Sequence, residues 1–190
     1  MKILKNHPTV LLAVPFLLLG IAASAIASDA PRVPRTTLAV AEKSLDNRFA
    51  GLWSDNPFIM LGPTRGIYLE GYGAVFTAEV NLVAGPQISI IMQSASKQSI
   101  ADHRQKKLAR LPDLKKAMAK ALADTAASPA MAAVPPDEQI VLVAFLSHFP
   151  WEDLTGVPSQ IMMQGSKKKL MDAQRDGGAA LEASIQAVQY

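Results

Sequence analysis

The chain of 190 residues contains no cysteine. Disulfide staples, thiolate metal sites, a cysteine nucleophile and the acylated cysteine of a lipoprotein are therefore excluded together. Histidine is scarce as well: of the three present, His7 lies in a segment expected to be removed, leaving His103 and His148. One mature chain then cannot supply a three-histidine zinc site. Aromatic residues make up 6% of the chain, and no recognition motif or interleaved aromatic platform for nucleic acid is present. No G-x-S-x-G nucleophile elbow occurs, and no glycine-rich loop leads to a P-loop lysine. The sequence thus argues against nucleic-acid and nucleotide partners, and it calls for no cofactor and no metal.

Charge is missing from one long stretch, Thr9 to Ala27, "TVLLAVPFLLLGIAASAIA", which follows Lys2 and Lys5. A basic start, an apolar run and small residues before Ser28 follow the order of an export signal, so residues 1–27 read as a cleavable signal peptide cut near Ala27. The alternative is an uncleaved membrane anchor, since about 20 apolar residues can cross a bilayer. Pro15 and the Ala/Ser-rich end favour cleavage. Removing the signal removes two of 19 basic residues and none of 16 acidic ones, so the mature charge is 17 − 16, or +1. It is unevenly spread. Lys97 to Lys120 holds eight basic residues against Asp102 and Asp113.

Residues 28–35 read as an extended leader carrying Pro31 and Pro34, and residues 36–190 as a single α+β domain. That length suffices to bury a core without metal or disulfide support. A first helix, capped by Thr36 or Thr37, is expected from Leu38, Ala41, Leu45, Phe49 and Leu52 at helical spacing, with Glu42 turned outward and "SDNP" ending it. Phe58 to Leu61 reads as a strand, and the Gly62–Gly66 turn would make it one arm of a hairpin. The other arm is "GIYLEGYGAVFTAEVNLV", where Tyr72, Ala74, Phe76, Ala78, Val80 and Leu82 share one face. Ile67 and Leu69 fall in the opposite phase, which predicts a bulge or kink at Gly71 or Gly73.

Ile88 to Met92 could pair with that strand. Helical periodicity follows from Ser96 to about Asp124, divided by Pro112 into two helices. Residues 125–138 read as a loop, Ile140 to Phe149 as a buried central strand, and Gln160 to Gln164 as a last strand. A helix from the Ser166 cap to Gly177 comes next, and Leu181, Ile185 and Val188 then share a helical side. Helix or strand stays open for residues 179–190. The expected architecture is an antiparallel-rich sheet of about four to five strands, with an N-terminal helix and a helical insertion packed on one face.

Few residues are candidates for chemistry. In the glycine-rich stretch these are Tyr72 and the carboxylates Glu70 and Glu79, which are nine residues apart on one extended strand. They would stand roughly 30 Å from each other and could not act as an acid/base pair. "SHFPWED" places His148, Glu152 and Asp153 at the end of the buried strand, a combination of imidazole and carboxylates that suits a hydrolytic or metal-dependent site. Its spacing matches no zinc motif, and a capped strand end with Trp151 covering the core and two acids in water explains it more simply. His103 lies on the basic helix, where Asp102 points elsewhere. Lys106, Lys107, Lys115 and Lys116 are the candidates for contact with an acidic envelope protein or an anionic membrane surface.

"YLEGYGAVFTAEVNLV" and "FPWEDLTGVPSQIMMQG", together about a fifth of the mature chain, resemble small exported bacterial proteins with no assigned activity. The resemblance implies an envelope location and supplies no site residue. The leading expectation is a periplasmic or secreted non-enzymatic binding module, using the basic helices or an open sheet face. The alternatives are a hydrolase or metal-dependent enzyme centred on His148–Asp153, and a structural partner of an envelope complex.

Overall fold

The computed structural model describes residues 33–56, 59–85, 96–176 and 178–190. The signal peptide, most of the leader, Phe58, the Ile88–Met92 run and Gly177 lie outside the described residues. The order of elements is α1 (Arg35–Ala50), β1 (Arg65–Leu69), β2 (Gly73–Val80), α2 (Lys97–Ala127), a short 3-10 turn (Pro129–Met131), β3 (Gln139–Leu146), β4 (Gln160–Ser166), α3 (Lys167–Asp176), α4 (Gly178–Ser184) and β5 (Gln186–Gln189). One sheet holds all five strands in sequence order. Pairing is antiparallel except between β2 and β3, which run parallel. Parallel neighbours need a long crossover, and α2 supplies it.

Alternation along the strands sorts the two faces. Ala74, Phe76, Ala78 and Val80 of β2 share a buried face with Ile140, Leu142, Ala144 and Leu146 of β3 and Ile161 and Met163 of β4. Against it pack Leu38, Leu45 and Phe49 of α1, Leu111, Leu114, Met118 and Leu122 of α2, and Leu170 of α3, all in one core cluster. Each such fully buried side chain contributes about 1.5–3 kcal/mol of transfer free energy. The opposite face is half open and surprisingly apolar: Ile67, Leu69 and Phe145 are exposed, and Val75, Val143 and Met162 are half-buried.

The hairpin differs from the expectation. Its turn lies at Glu70-Gly71-Tyr72, where the Tyr72 N–H donates to Leu69 O at 3.0 Å, and β1 folds back on β2 with Leu69 opposite Gly73. The change of apolar phase after Leu69 is therefore a chain reversal, not a bulge within one strand. Gly71 at φ 76° makes the turn, and Gly73 at φ 135° passes so close to β3 that an added Cβ would stand 1.9 Å from Gln139 O. Tyr72, expected to begin the core side, sits in the turn and is exposed. Upstream, Met60 forms only an isolated bridge to Val80. The edges of β2 are taken by β1 and β3.

Pro112 does not divide α2, which is one 31-residue helix. Buried side chains hold it on both sides of the proline, Lys107 and Arg110 before it and Leu114 and Met118 after it, so packing outweighs the lost hydrogen bond. At 1.5 Å per residue the helix is about 46 Å long, well beyond the roughly 27 Å of β2. Its ends overhang the sheet. Glu42, expected to face solvent, is buried: it takes two bonds from Arg35, at 2.7 and 2.8 Å, and one from the Gly66 N–H at 2.6 Å. No hydroxyl caps α1, whose N-cap position is Pro34. The last segment resolves into α4 and then β5, and Val188 is a strand residue.

Candidate functional site

Among the cavities and polar clusters of the described residues, two involve the basic residues of α2. The first lies where the start of α2 overhangs the carboxyl ends of β2 and β3. One helical face brings His103, Lys107 and Arg110 inward at spacings of four and three residues. Glu152, on the loop from β3 to β4, meets two of them: its Oε1 is 3.1 Å from His103 Nε2, and its Oε2 accepts from Lys107 Nζ. Lys107 Nζ also donates to Ser147 O at 2.9 Å. A carboxylate only accepts, so His103 presents its Nε2–H tautomer to Glu152. Burial holds the imidazole pKa below its ordinary value; the Glu152 charge opposes this and Lys107 adds to it.

This cluster is closed. The Lys107 and Glu152 side chains are each 2% exposed. Trp151 stands edge-on to His103 at 4.9 Å and is itself backed by Phe149, stacked on it at 5.5 Å. The cavity beside it, lined by Lys107, Ser147 and Leu154 among others, is about 30 Å³. That is on the order of one water molecule's share of the liquid and leaves no room for a substrate. Next to it Arg110 reaches Leu82 O at 2.6 Å, pairs with Asp55 and lies over the Trp53 ring at 4.8 Å. Together these bonds fasten the loop and the end of β2 to the helix.

His148 is exposed, and so is Asp153, whose carboxylate accepts from the Thr155 hydroxyl and N–H and is thereby held below the usual carboxylate range. Glu152 thus meets neither of its sequence companions; its partners are His103 and Lys107. Glu70 lies in the hairpin turn, near enough to Tyr68 to add to the burial and the Glu138 bond that push the phenol up to about 12. Glu70 and Glu79 stand at opposite ends of the hairpin. Lys107 leaves the partner-binding set because its ammonium is buried on Glu152. Lys106 is tied to Asp55 at 2.9 Å. Among the described residues no group of three metal-ligating side chains converges.

The second place lies at the far half of α2. An elongated cleft of about 710 Å³ separates α2 from α3, α4 and the start of β5. Small side chains make the room: Ala119 and Ala123 on α2 face Ala173 on α3, with Met163 of β4 beneath and Leu181 of α4 opposite. Ala123, Met163 and Ala173 are almost wholly buried and form the floor. Lys115, Lys116, Lys120 and Glu182 line the opening. Lys120 is committed to Asp124 at 3.5 Å, and Asp124 also binds Arg48 at 2.7 Å and Gln174. Lys115 and Lys116 have no ion-pair partner among the described residues.

The cleft was only partly legible in the sequence, which marked the lysines but not the apolar hollow behind them. Its signal is the run of small residues, Ala119 and Ala123 on one helix and Ala173 on another, where a packed interface would carry Leu or Met. No family model, curated protein or solved structure matches the chain. Its function is therefore argued from geometry.

Proposed function

We propose that the protein is an exported, non-enzymatic binding module of the bacterial envelope that engages anionic amphiphilic material through the α2 side of the molecule. One observation carries this: an apolar cleft of about 710 Å³ is lined on its α2 side by Lys115 and Lys116, which have no ion-pair partner among the described residues. That size lies within the ~300–1,000 Å³ range of small-molecule sites, which pair an apolar lining with a few placed polar groups. Lysine carries its charge on a flexible stem and suits an anionic headgroup at a wet rim. The signal-like N-terminus supports export.

An enzyme centred on the His148–Asp153 loop has less in its favour. Its one enclosed carboxylate, Glu152, is spent on Lys107 and His103, and His148 and Asp153 point to solvent-exposed surface. The test of the binding reading is flotation of the mature protein with vesicles containing phosphatidylglycerol and with purely zwitterionic ones. Retention on the anionic vesicles alone, lost in Lys115→Glu/Lys116→Glu and weakened by salt, is expected. Equal retention of this variant would contradict the electrostatic contact.

A further inference from the structure

We infer that the cleft takes one unbranched acyl or alkyl chain ending in an anionic head, with the head at Lys115 and Lys116 and the chain running along α2 toward Ala123 and Ala173. The inference rests on the binding reading above and narrows it to a monomeric ligand inside the protein. Three observations give the ligand its shape and polarity.

The cleft is long. Its α2 wall extends from Pro112 to Asp124 along one side of the helix, twelve residue steps or about 18 Å. A chain fills such a trough better than a compact ring system does. The cleft is also asymmetric in its polar groups: Lys115 and Lys116 lie within a turn of its Pro112 end, whereas Lys120, Asp124 and Gln174 line the other end bound to one another, with Ala119 and Ala123 at i+4 spacing on the same wall. Finally, its charges are unequal in availability. Asp124 holds both Lys120 and Arg48, so among the described residues that line the cleft Lys115 and Lys116 are the cations without an ion-pair partner, and Glu182 is the acid without one. A carboxylate or phosphate head meets two ammonium groups there, and a cationic head meets repulsion.

Calorimetric titration of the mature protein with octanoate, decanoate and dodecanoate, each below its micelle concentration, tests this. The dissociation constant should fall about fourfold per added methylene, as burial of each CH2 in an apolar trough requires. Lys115→Gln/Lys116→Gln should weaken the carboxylates on the order of tenfold and leave uncharged alkyl maltosides of the same chain length unchanged. Ala119→Phe, which fills the cleft from one wall, and Leu181→Trp, which fills it from the other, should each abolish both. Affinity independent of chain length, or undiminished in both filled variants when they unfold as sharply as wild type, overturns the inference. Binding of anionic vesicles without any binding of the monomers overturns it while the broader reading stands. If neither binds, both fall.

Discussion

Glu152 receives one bond from a histidine and one from a lysine with almost no water in reach, so its removal strands Lys107 rather than merely deleting a contact. Glu152→Ala should cost about 3–5 kcal/mol in urea-induced unfolding, whereas the double variant Lys107→Met/Glu152→Leu should cost far less, because an apolar pair of similar volume needs no desolvation. His103 adds a pH dependence of known sign. Its folded pKa is lowered by burial, so the unfolded chain binds the proton first. The stability is fully present above the unfolded value of about 6.5 and declines as pH falls through it toward the folded value. His103→Gln, which keeps an N–H for Glu152 without titrating, should flatten that decline in thermal unfolding between about pH 7 and pH 5.

The sequence shows why this triad was half readable: His103 and Lys107 fall on one helical line with Ile100 and Leu111, an inward-facing stripe that happens to contain an imidazole and an ammonium. Their shared partner, some 45 residues further along, follows from no local pattern. The same limit hid Lys167. It directly follows β4, and its ammonium caps the carbonyls of Met131 and Val134 at 2.7 and 2.6 Å, locking the 3-10 turn to the start of α3. Burial lowers its pKa. Of the three consecutive lysines, Lys167 to Lys169, only Lys168 and Lys169 are exposed.

Among the elements, the alternation of β2, β3 and β4 and the stripe of α1 were legible because each buries one face against a common core. What failed were the boundaries set by partners distant in sequence. Pro112 reads as a helix break from local chemistry, but Lys107, Arg110, Leu114 and Met118 hold the helix through it. Pro112→Ala restores the missing bond, and an increase in stability of about 1–3 kcal/mol is expected by denaturant unfolding. The hairpin makes a complementary point. An out-of-phase pair, Ile67 and Leu69, signals either a bulge or a reversal, and the parallel partner β3 decides between them by occupying the far edge of β2. Gly71 stands in open space at positive φ, so Gly71→Ala should cost about 1 kcal/mol through backbone strain alone. Gly73→Ala should cost much more, because its Cβ meets the β3 backbone.

For the whole molecule, the charge asymmetry read from the sequence divides on folding into two populations. In the first half of α2 four cations are held by acids: Lys107 by Glu152, Arg104 by Asp153, and Arg110 and Lys106 by Asp55. Beyond Pro112, Lys115 and Lys116 stay unpaired beside an apolar hollow, and this separation of spent from available charge is what places the proposed site. The described residues contain no helix long and apolar enough to cross a membrane. If residues 1–27 are the export signal proposed, N-terminal sequencing of the protein recovered from the envelope fraction should begin near Ser28; an intact Met1 in the membrane fraction would replace cleavage with anchoring.

The claim that the α2 cleft is the binding site is tested most directly by amide NMR of the mature protein during titration with dodecanoate. Saturable shifts confined to Lys115, Lys116, Ala119, Ala123, Ala173 and Leu181 are the expected result. Shifts centred instead on the open sheet face at Ile67, Leu69 and Phe145, or no saturable shift at all, would contradict it.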